Sequence, residues 1–162
     1  MPVPSRSTSK IATWTREPFV ISTDPKRIDL DVVHGFLVRS YWATGISREL
    51  VALSLENSLP FGIYQGARQV GGARVITDCA TFAYLDDVFV IEEFRGHGLG
   101  KWLMECVTNH PDLQGLRYFH LRTDDAHGLY AQYGFAGVLH PEWSMEIAPN
   151  DLYLRQSNMG KG

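Results

Sequence analysis

The chain has 162 residues, of which 44% are hydrophobic and 20% charged, and its formal net charge at neutral pH is −3. This size and balance predict one globular domain with a core of its own. A weakly acidic chain without a Lys/Arg cluster lacks the electrostatic footprint of a nucleic-acid-binding protein. The Pro- and Ser-rich start contains no apolar run, and no run of about 18 apolar residues occurs elsewhere, so we expect a cytoplasmic protein with no membrane partner.

The first half of the chain alternates strand and helix signals after a loose start. Residues 1–16 are rich in Ser, Thr and Pro, and we interpret them as a flexible arm in which Trp14 could pack against the body. The predicted elements that follow are a strand over 18–23, a helix capped by Asp24 from Pro25 to about Tyr41, and a helix capped by Ser47 to about Asn57.

The second half predicts strands separated by turns, with two further helices. A meander of three strands comes first, and a strand–helix–strand unit overlaps its end. The predicted elements are strands over 61–64, 69–77, 82–91 and 117–123, helices over 99–109 and 125–133, and a closing hairpin of 135–139 and 143–147. This mixture predicts one α/β (α+β) domain over residues 17–149, followed by a tail over 150–162.

The stretch from Asp87 to Lys101 is the most informative part of the sequence. The apolar run Val88–Ile91 predicts a buried strand, and a glycine-rich turn follows it at residues 95–100. From Leu99 onwards the apolar residues recur at the spacing of a helix with one buried face. The N–H groups at such a helix start lack partners and attract anions, and glycines let a phosphate approach the backbone. We therefore expect a phosphate-bearing ligand here.

Two other kinds of glycine-rich loop do not fit this stretch. The P-loop requires GxxxxGK[ST], but Trp102 follows Gly100-Lys101, and Arg95 occupies the position of the first glycine. The dinucleotide-binding fingerprint GxGxxG fails because the glycines at 96, 98 and 100 are two residues apart. The remaining alternative is a tight turn that needs glycine only for its backbone, and Arg95 with the flanking strand and helix makes that alternative weaker.

Two motifs in the second half are more specific together than either is alone. Residues 90–100 read V-x-E-x-x-R-G-x-G-x-G, and residues 123–135 read T-x-x-A-x-x-L-Y-x-x-x-G-F. In order and separation they resemble the two motifs of the GNAT superfamily of N-acetyltransferases, which has Pro where Glu92 stands and usually Asn where Thr123 stands. The resemblance covers roughly residues 18–147. It implies a GNAT-like mixed, largely antiparallel central sheet of about six or seven strands with helices on both faces.

The resemblance also implies acetyl-CoA as co-substrate and a binding site for it. Main-chain groups of the strand would pair with the pantetheine arm, and the amides of the turn would hold the pyrophosphate. The implied donor-binding residues are Phe89, Val90, Arg95, Gly96, His97, Gly98, Leu99, Gly100, Lys101 and Thr123. The alternatives are ordinary sheet pairing on both sides of the strand and, for Arg95, a simple surface charge.

Tyr130 stands where the family usually places its general acid. A phenol with a reference pKa of ~10 is protonated at neutral pH and can donate to a thiolate of parent pKa ~8.5. The alternative is that Tyr130 is a core residue of the last helix with its hydroxyl at the surface. Tyr133 is the second candidate, because it shares a side of the same helix.

The amine arrives mostly protonated, so a base or a chain of waters is also needed. Asp87 is our candidate base, in a set that also contains Asp86, Glu92, Glu93 and His120. Adjacent strand residues point to opposite faces, so only one of the two aspartates can face the acceptor unless a bulge intervenes. Each member of the set has an ordinary alternative as a solvated charge or a satisfied histidine.

The acceptor wall is expected in the segment between the first two helices and at the strand ends. The candidate substrate residues are Tyr41, Trp42, Phe82 and Tyr84. Aromatic side chains with acids nearby suit a cationic amine. An equal alternative is that Tyr41 and Trp42 anchor the first helix in the core.

These expectations combine into an acetyl-CoA-dependent N-acetyltransferase that moves the acetyl group to a primary amine by direct attack in a ternary complex. Cys79, in a predicted turn, and Cys106, on the buried helix face, are not expected as nucleophiles, and without CxxC spacing they predict neither a disulfide framework nor a metal site. The alternatives are a protein or peptide acetyltransferase acting on an N-terminus or lysine, and a non-catalytic acyl-CoA-binding sensor. The expected partners are a small-molecule or peptide amine and, for assembly as a homodimer, a second copy of the chain.

Overall fold

The computed structural model describes residue 1, residues 9–149 and residues 152–153. Six strands form one sheet in sequence order, antiparallel except for the last pair, which is parallel. The strands are β1 (Thr13–Arg16), β2 (Phe19–Ser22), β3 (Leu59–Gln65), β4 (Arg68–Thr77), β5 (Phe82–Val90) and β6 (Tyr118–Leu121). The α-helices are α1 (Leu30–Leu37), α2 (Arg48–Glu56), α3 (Leu99–Thr108) and α4 (His127–Ala131). The expected mixed, largely antiparallel sheet is confirmed.

Two apolar clusters cover the sheet, one on each face, which confirms the expected placement of helices. The larger cluster packs α3 and Tyr130 of α4 against strand residues such as Phe61 and Leu85. The smaller cluster packs α1, α2 and the segment between them against Phe89. Among the described residues, no helix has both the length and the apolar character that a membrane span needs.

The N-terminal arm is shorter than expected. Residues 13–16 form β1 and pair with β2, whereas we expected an arm as far as residue 16. Trp14 explains the difference, because its ring stacks on that of Phe61 at 6.2 Å between centroids. Burial of this large aromatic surface stabilises the pairing. Residues 2–8 of the expected arm lie outside the described residues.

The helix expected from Pro25 to about Tyr41 is divided in two. A 3₁₀ turn covers Pro25–Arg27, and α1 starts separately at Leu30. Asp29 begins the second piece, because its side chain accepts hydrogen bonds from the first turn of α1 and its own N–H donates to Gln69 Oε1 at 2.7 Å. Helix α1 also ends at Leu37, so residues 38–46 form a loop beside the sheet. The predicted cap of α2 by Ser47 is confirmed.

A bulge interrupts β5 where the two aspartates lie. Gly72 of β4 faces Phe89, but Arg74 faces Asp86, so two residues of β5 oppose one residue of β4. Asp87 absorbs the extra residue with a φ of +54°, in the left-handed region that Asp and Asn tolerate better than most residues. The bulge shifts the alternation of side chains by one, and Asp86 and Asp87 therefore reach the same side of the sheet.

The predicted closing hairpin is wrong. Neither 135–139 nor 143–147 forms a strand, and Pro141–Trp143 forms a 3₁₀ turn between them. Met145 and Ile147 are each 99% exposed. An alternating pattern forms a strand only where a neighbouring strand and an apolar surface accept it, and β6 is only four residues long. Most of the tail expected over 150–162 lies outside the described residues, although Tyr153 packs against the smaller apolar cluster.

Candidate functional site

A cleft opens where β5 and β6 separate. The parallel pairing covers only Phe82 to Leu85 of β5, so residues 86–90 have no strand beside them on that side within the described structure. The cleft has a volume of about 770 Å³ and is bounded by the loop after α1, by β5 and by the segment from β6 into α4. The alternative of ordinary pairing on both sides of this strand is therefore excluded for its C-terminal half, among the residues described.

The cleft brings together most of the residues predicted for a site. Those that line it are Tyr41, Trp42, Tyr84, Asp86, Asp87, Phe89, Val90, Arg95, Gly100, Thr123 and Tyr130. Phe82 lies at the opposite end of β5, where its ring packs near His120, and neither residue lines the cleft. Glu93 forms a surface ion pair with Arg68 at 3.2 Å. Phe82, His120, Glu92 and Glu93 therefore lie apart from the cleft, and of the predicted residues 96–101 only Gly100 lines it.

The glycine-rich turn presents unpaired backbone donors. Within the described structure, none of the N–H groups from Gly96 to Lys101 donates a hydrogen bond. Gly98 is the N-cap of α3 with a φ of +72°, and it has no side chain to cap the first turn. A Cβ atom at Gly96, Gly98 or Gly100 would meet no heavy atom within 4 Å. Free donors, open space and the positive end of α3 together suit an anionic ligand.

Side chains of the turn contribute less than its backbone. Leu99 is buried in the core, and His97 lies outside the cleft with its Nδ1 3.1 Å from the carbonyl oxygen of Phe94. Arg95 lines the cleft and donates through Nε to the carbonyl of Val90 at 3.3 Å. At the other wall, Thr123 accepts a hydrogen bond from the N–H of Ala126 at 3.0 Å. Only Arg95 therefore offers a charged side chain from the turn to the cleft.

An ion-pair network lies at the centre of the cleft. Arg74 of β4 donates to Asp87 at 2.5 Å and to Asp86 at 2.7 Å. The indole Nε1 of Trp42 donates to the other oxygen of Asp87 at 2.9 Å. Asp86 accepts a further hydrogen bond from the N–H of Asp87 at 2.9 Å. Sequence reasoning missed Arg74, although a charged residue within the otherwise small and apolar run GGARVI was a signal for it.

The cleft raises the pKa of three of its side chains, and burial is the main cause for Tyr84 as it is for the other two. Burial, and then the neighbouring Asp87 charge, raise the pKa of Asp86, while the Arg74 guanidinium opposes the shift. Burial raises the pKa of Tyr130 to about 12. Perturbed groups that converge in one cleft are typical of a functional site.

The three tyrosines near α4 have different environments. Tyr130 is only 8% exposed, lines the cleft, and its hydroxyl makes no hydrogen bond to any described residue. Tyr133 does not line the cleft, and its hydroxyl donates to the carbonyl of Lys101 at 2.8 Å. Tyr41 reaches across from the loop after α1, where its hydroxyl accepts from the N–H of Asp124 at 3.2 Å. Tyr130 is therefore the only one of these three whose hydroxyl makes no hydrogen bond within the described part of the chain.

Neither cysteine belongs to the cleft. Cys106 is buried on α3, and burial raises the pKa of its thiol to about 12. Cys79 lies in the turn between β4 and β5 with a φ of +59°. A nucleophilic cysteine needs access and a thiolate, and the Cys106 thiol has neither.

Known proteins match this chain in both sequence and structure. Residues 56–136 match the model of the acetyltransferase (GNAT) domain. A candidate acetyltransferase of the fungus Gibberella zeae is 30% identical over 147 residues, which cover 76% of this chain and 82% of that protein. The crystal structure of a candidate GNAT acetyltransferase from Xanthomonas campestris pv. campestris is 50% identical with a TM-score of 0.82, covering 83% of this chain and 96% of that one.

A more distant structure shares the fold. A candidate acetyltransferase of Clostridium acetobutylicum, solved with acetyl-CoA, is 14% identical with a TM-score of 0.57, covering 80% of this chain and 94% of that one. The family match covers half of the chain, and it includes both motifs and the cleft-lining elements from β5 to α4. The chain belongs to the GNAT family of acetyltransferases.

Proposed function

We propose that the protein transfers the acetyl group of acetyl-CoA to a primary amine, by direct attack of the amine in a ternary complex. The observation that supports this most strongly is the open edge of β5, which ends at the unpaired N–H groups of residues 96–101. An extended thioester arm can pair with such an edge while its pyrophosphate binds at the helix start. The neutral or cationic acceptor would enter from the side of Trp42 and Tyr84.

The residues present fit the donor. The N–H groups of the turn and the guanidinium of Arg95 supply hydrogen bonds and positive charge for the pyrophosphate. A free N–H of residues 89–90 could polarise the thioester carbonyl, an interaction typically worth ~3 kcal/mol in the transition state. We therefore place the acetyl group beside the bulge of β5, within reach of Asp86 and Tyr130.

Asp86 suits the role of base better than Asp87. Both oxygens of Asp87 are engaged, one by Trp42 and the other by Arg74, and the residue is 8% exposed. Asp86 also accepts a hydrogen bond at each oxygen, but its side chain is 29% exposed, and burial raises its pKa, which makes its carboxylate a better acceptor for the proton of an ammonium group. In the proposed step Asp86 takes the proton from the amine, either directly or through a water.

Tyr130 is suited to donate a hydrogen bond to the leaving thiolate, but not to act as the full general acid expected from the sequence. When the amine nitrogen bonds to the acetyl carbon, the carbon–sulfur bond breaks and charge develops on sulfur. A phenol of pKa about 12 is a weaker acid than a thiol, so full proton transfer to the thiolate would be uphill. We assign Tyr130 as a hydrogen-bond donor to the developing thiolate, which takes up a proton from solvent as coenzyme A leaves. The proposed step has no covalent enzyme intermediate, because neither Cys79 nor Cys106 lines the cleft and Cys106 is buried.

A thiol-release assay with acetyl-CoA and a panel of amines and peptides tests this function. Acetyl-CoA-dependent thiol release with at least one amine supports it, and a peptide preference would identify a protein acetyltransferase. Binding of acetyl-CoA without turnover on any acceptor would favour the non-catalytic sensor. Failure to bind acetyl-CoA would contradict the proposal.

A further inference from the structure

Arg74 connects both aspartates of the bulge. Its side chain is only 13% exposed. It donates through Nε to Asp87, through Nη2 to Asp86, and through Nη1 to Ser58 Oγ at 3.3 Å. Because the guanidinium group is planar and donates to three partners, Arg74 is held in one position and in turn fixes the positions of the groups that it binds. Asp86 is therefore held at one oxygen by Arg74 and at the other by the N–H of Asp87.

Asp87 links Arg74 to Trp42, which belongs to the predicted acceptor wall. One carboxylate oxygen accepts from Arg74, and the other accepts from the indole of Trp42 in the loop after α1. The loop has no regular secondary structure beyond turns, so a fixed side-chain contact matters for the position of Trp42. The same carboxylate thus determines where the base lies and where the aromatic wall lies.

We propose that Arg74 and Asp87 are positioning residues for acetyl transfer, which together aim the Asp86 carboxylate at the acceptor and fix Trp42 beside it. This inference rests on the proposed role of Asp86 as base. Neither Arg74 nor Asp87 touches the reacting atoms in this arrangement. Both act through Asp86 and Trp42.

The charges around Asp86 predict the direction in which each substitution should shift the pKa of this carboxyl group. Burial raises the pKa of Asp86, Asp87 raises it further, and Arg74 lowers it. The phenols of Tyr84 on β5 and Tyr130 on α4 also interact electrostatically with Asp86, and burial raises the pKa of both. They stay neutral at ordinary assay pH. Charged side chains elsewhere in the cleft lining are Arg95, Arg122, Asp124 and Asp125, but the charges that shift the pKa of Asp86 are those of Asp87 and Arg74.

Charge-neutral variants of the two residues should therefore move the pH profile in opposite directions. Arg74→Gln removes the cation beside Asp86, so the acid limb of the kcat/KM profile should move to higher pH. Asp87→Asn removes the neighbouring anion, so the limb should move to lower pH. Asn also tolerates a positive φ and can still accept from Trp42, which leaves the bulge intact. Each variant should lower kcat/KM by roughly ten-fold or more, because the base is misplaced.

Arg122→Gln is the matched control. Arg122 lines the same cleft, but it pairs with Glu146 at the surface rather than with Asp86. The acid limb of the kcat/KM profile of Arg122→Gln should stay at the wild-type pH. Arg74→Lys retains a cation and should return the limb towards the wild-type position. A carbon-13 NMR titration of the Asp86 carboxyl in each folded variant should give the same order without any turnover.

The outcomes separate this inference from the proposed function. A wild-type protein without acetyl transfer would remove the proposed function itself. An Asp86→Asn variant with full activity would leave that function in place, but it would remove the role of Asp86 as base and overturn this inference. With activity and the Asp86 limb established, opposite shifts in Arg74→Gln and Asp87→Asn support the positioning role. Unmoved limbs, or shifts in the same direction, would overturn it and leave the network as packing only.

Discussion

Substitution of Gly100 by Val separates donor binding from folding. Gly100 is the second residue of α3, its φ lies outside the left-handed region, and an added Cβ would meet no heavy atom within 4 Å. Gly and Val differ modestly in helix propensity, so the free energy of unfolding should change by less than about 1 kcal/mol. Gly98 is a poorer choice for this test, because its φ of +72° would strain any side chain.

The same substitution should weaken coenzyme A binding strongly. Gly100 lines the cleft and the space at its Cβ position is open, so the isopropyl group would occupy room that we assign to the pyrophosphate. A hydrogen bond from an N–H to a charged group contributes about 1.5–3 kcal/mol, so loss of one such bond raises Kd by roughly ten- to a hundred-fold. Isothermal titration calorimetry measures Kd, and thermal unfolding checks the fold.

Gly35→Val is the control for this variant. Gly35 lies in α1, an added Cβ there also meets no heavy atom within 4 Å, and it does not line the cleft. It should leave Kd unchanged and have a similarly small effect on stability. Equal coenzyme A affinity in the two variants would refute the placement of the pyrophosphate at the start of α3.

Three further predictions concern catalysis, pH and stability. Tyr130→Phe should lower kcat and leave the Kd for acetyl-CoA unchanged. Tyr133→Phe loses only a hydrogen bond to a main-chain carbonyl and should keep wild-type kinetics. Equal kinetics in both variants would count against the role of Tyr130. Because burial and the neighbouring Asp87 raise the pKa of Asp86, activity should fall with decreasing pH at a pH above that of an ordinary Asp, and an Asp86→Asn variant should lack this limb; a limb that persists in the variant would assign it to another group. Ser47→Ala should lower the free energy of unfolding by about 1 kcal/mol, since it removes the cap of α2, and an unchanged denaturant midpoint would contradict the role of that cap.

The glycine turn and α3 could be predicted because their signals are local. The apolar spacing from Leu99, the glycines and the preceding strand all act within fifteen residues, Asp87 to Lys101. The structure has α3 over Leu99–Thr108 and unpaired donors before it, in agreement with the sequence. Cap signals were also reliable, as Ser47 shows, but a second cap at Asp29 was missed because Asp24-Pro25 already supplied one.

The rest of the site depends on contacts between strands that the sequence does not specify locally. Asp86 and Asp87 share one side of the sheet only because β5 bulges against β4, and the bulge is a property of the pairing. The role of Arg74 follows from the same register. The expected hairpin over 135–147 failed for a similar reason, because an alternating pattern needs a neighbouring edge to become a strand.

Backbone amide chemical shifts of the nitrogen-15-labelled protein, followed during titration with coenzyme A, test the central claim most directly. We predict that the largest changes occur at the N–H groups of residues 96–101 and along the open edge of β5, since these donors are unpaired in the described structure. Amides of the turn that keep their shifts while another surface responds would contradict the placement of the donor at the start of α3.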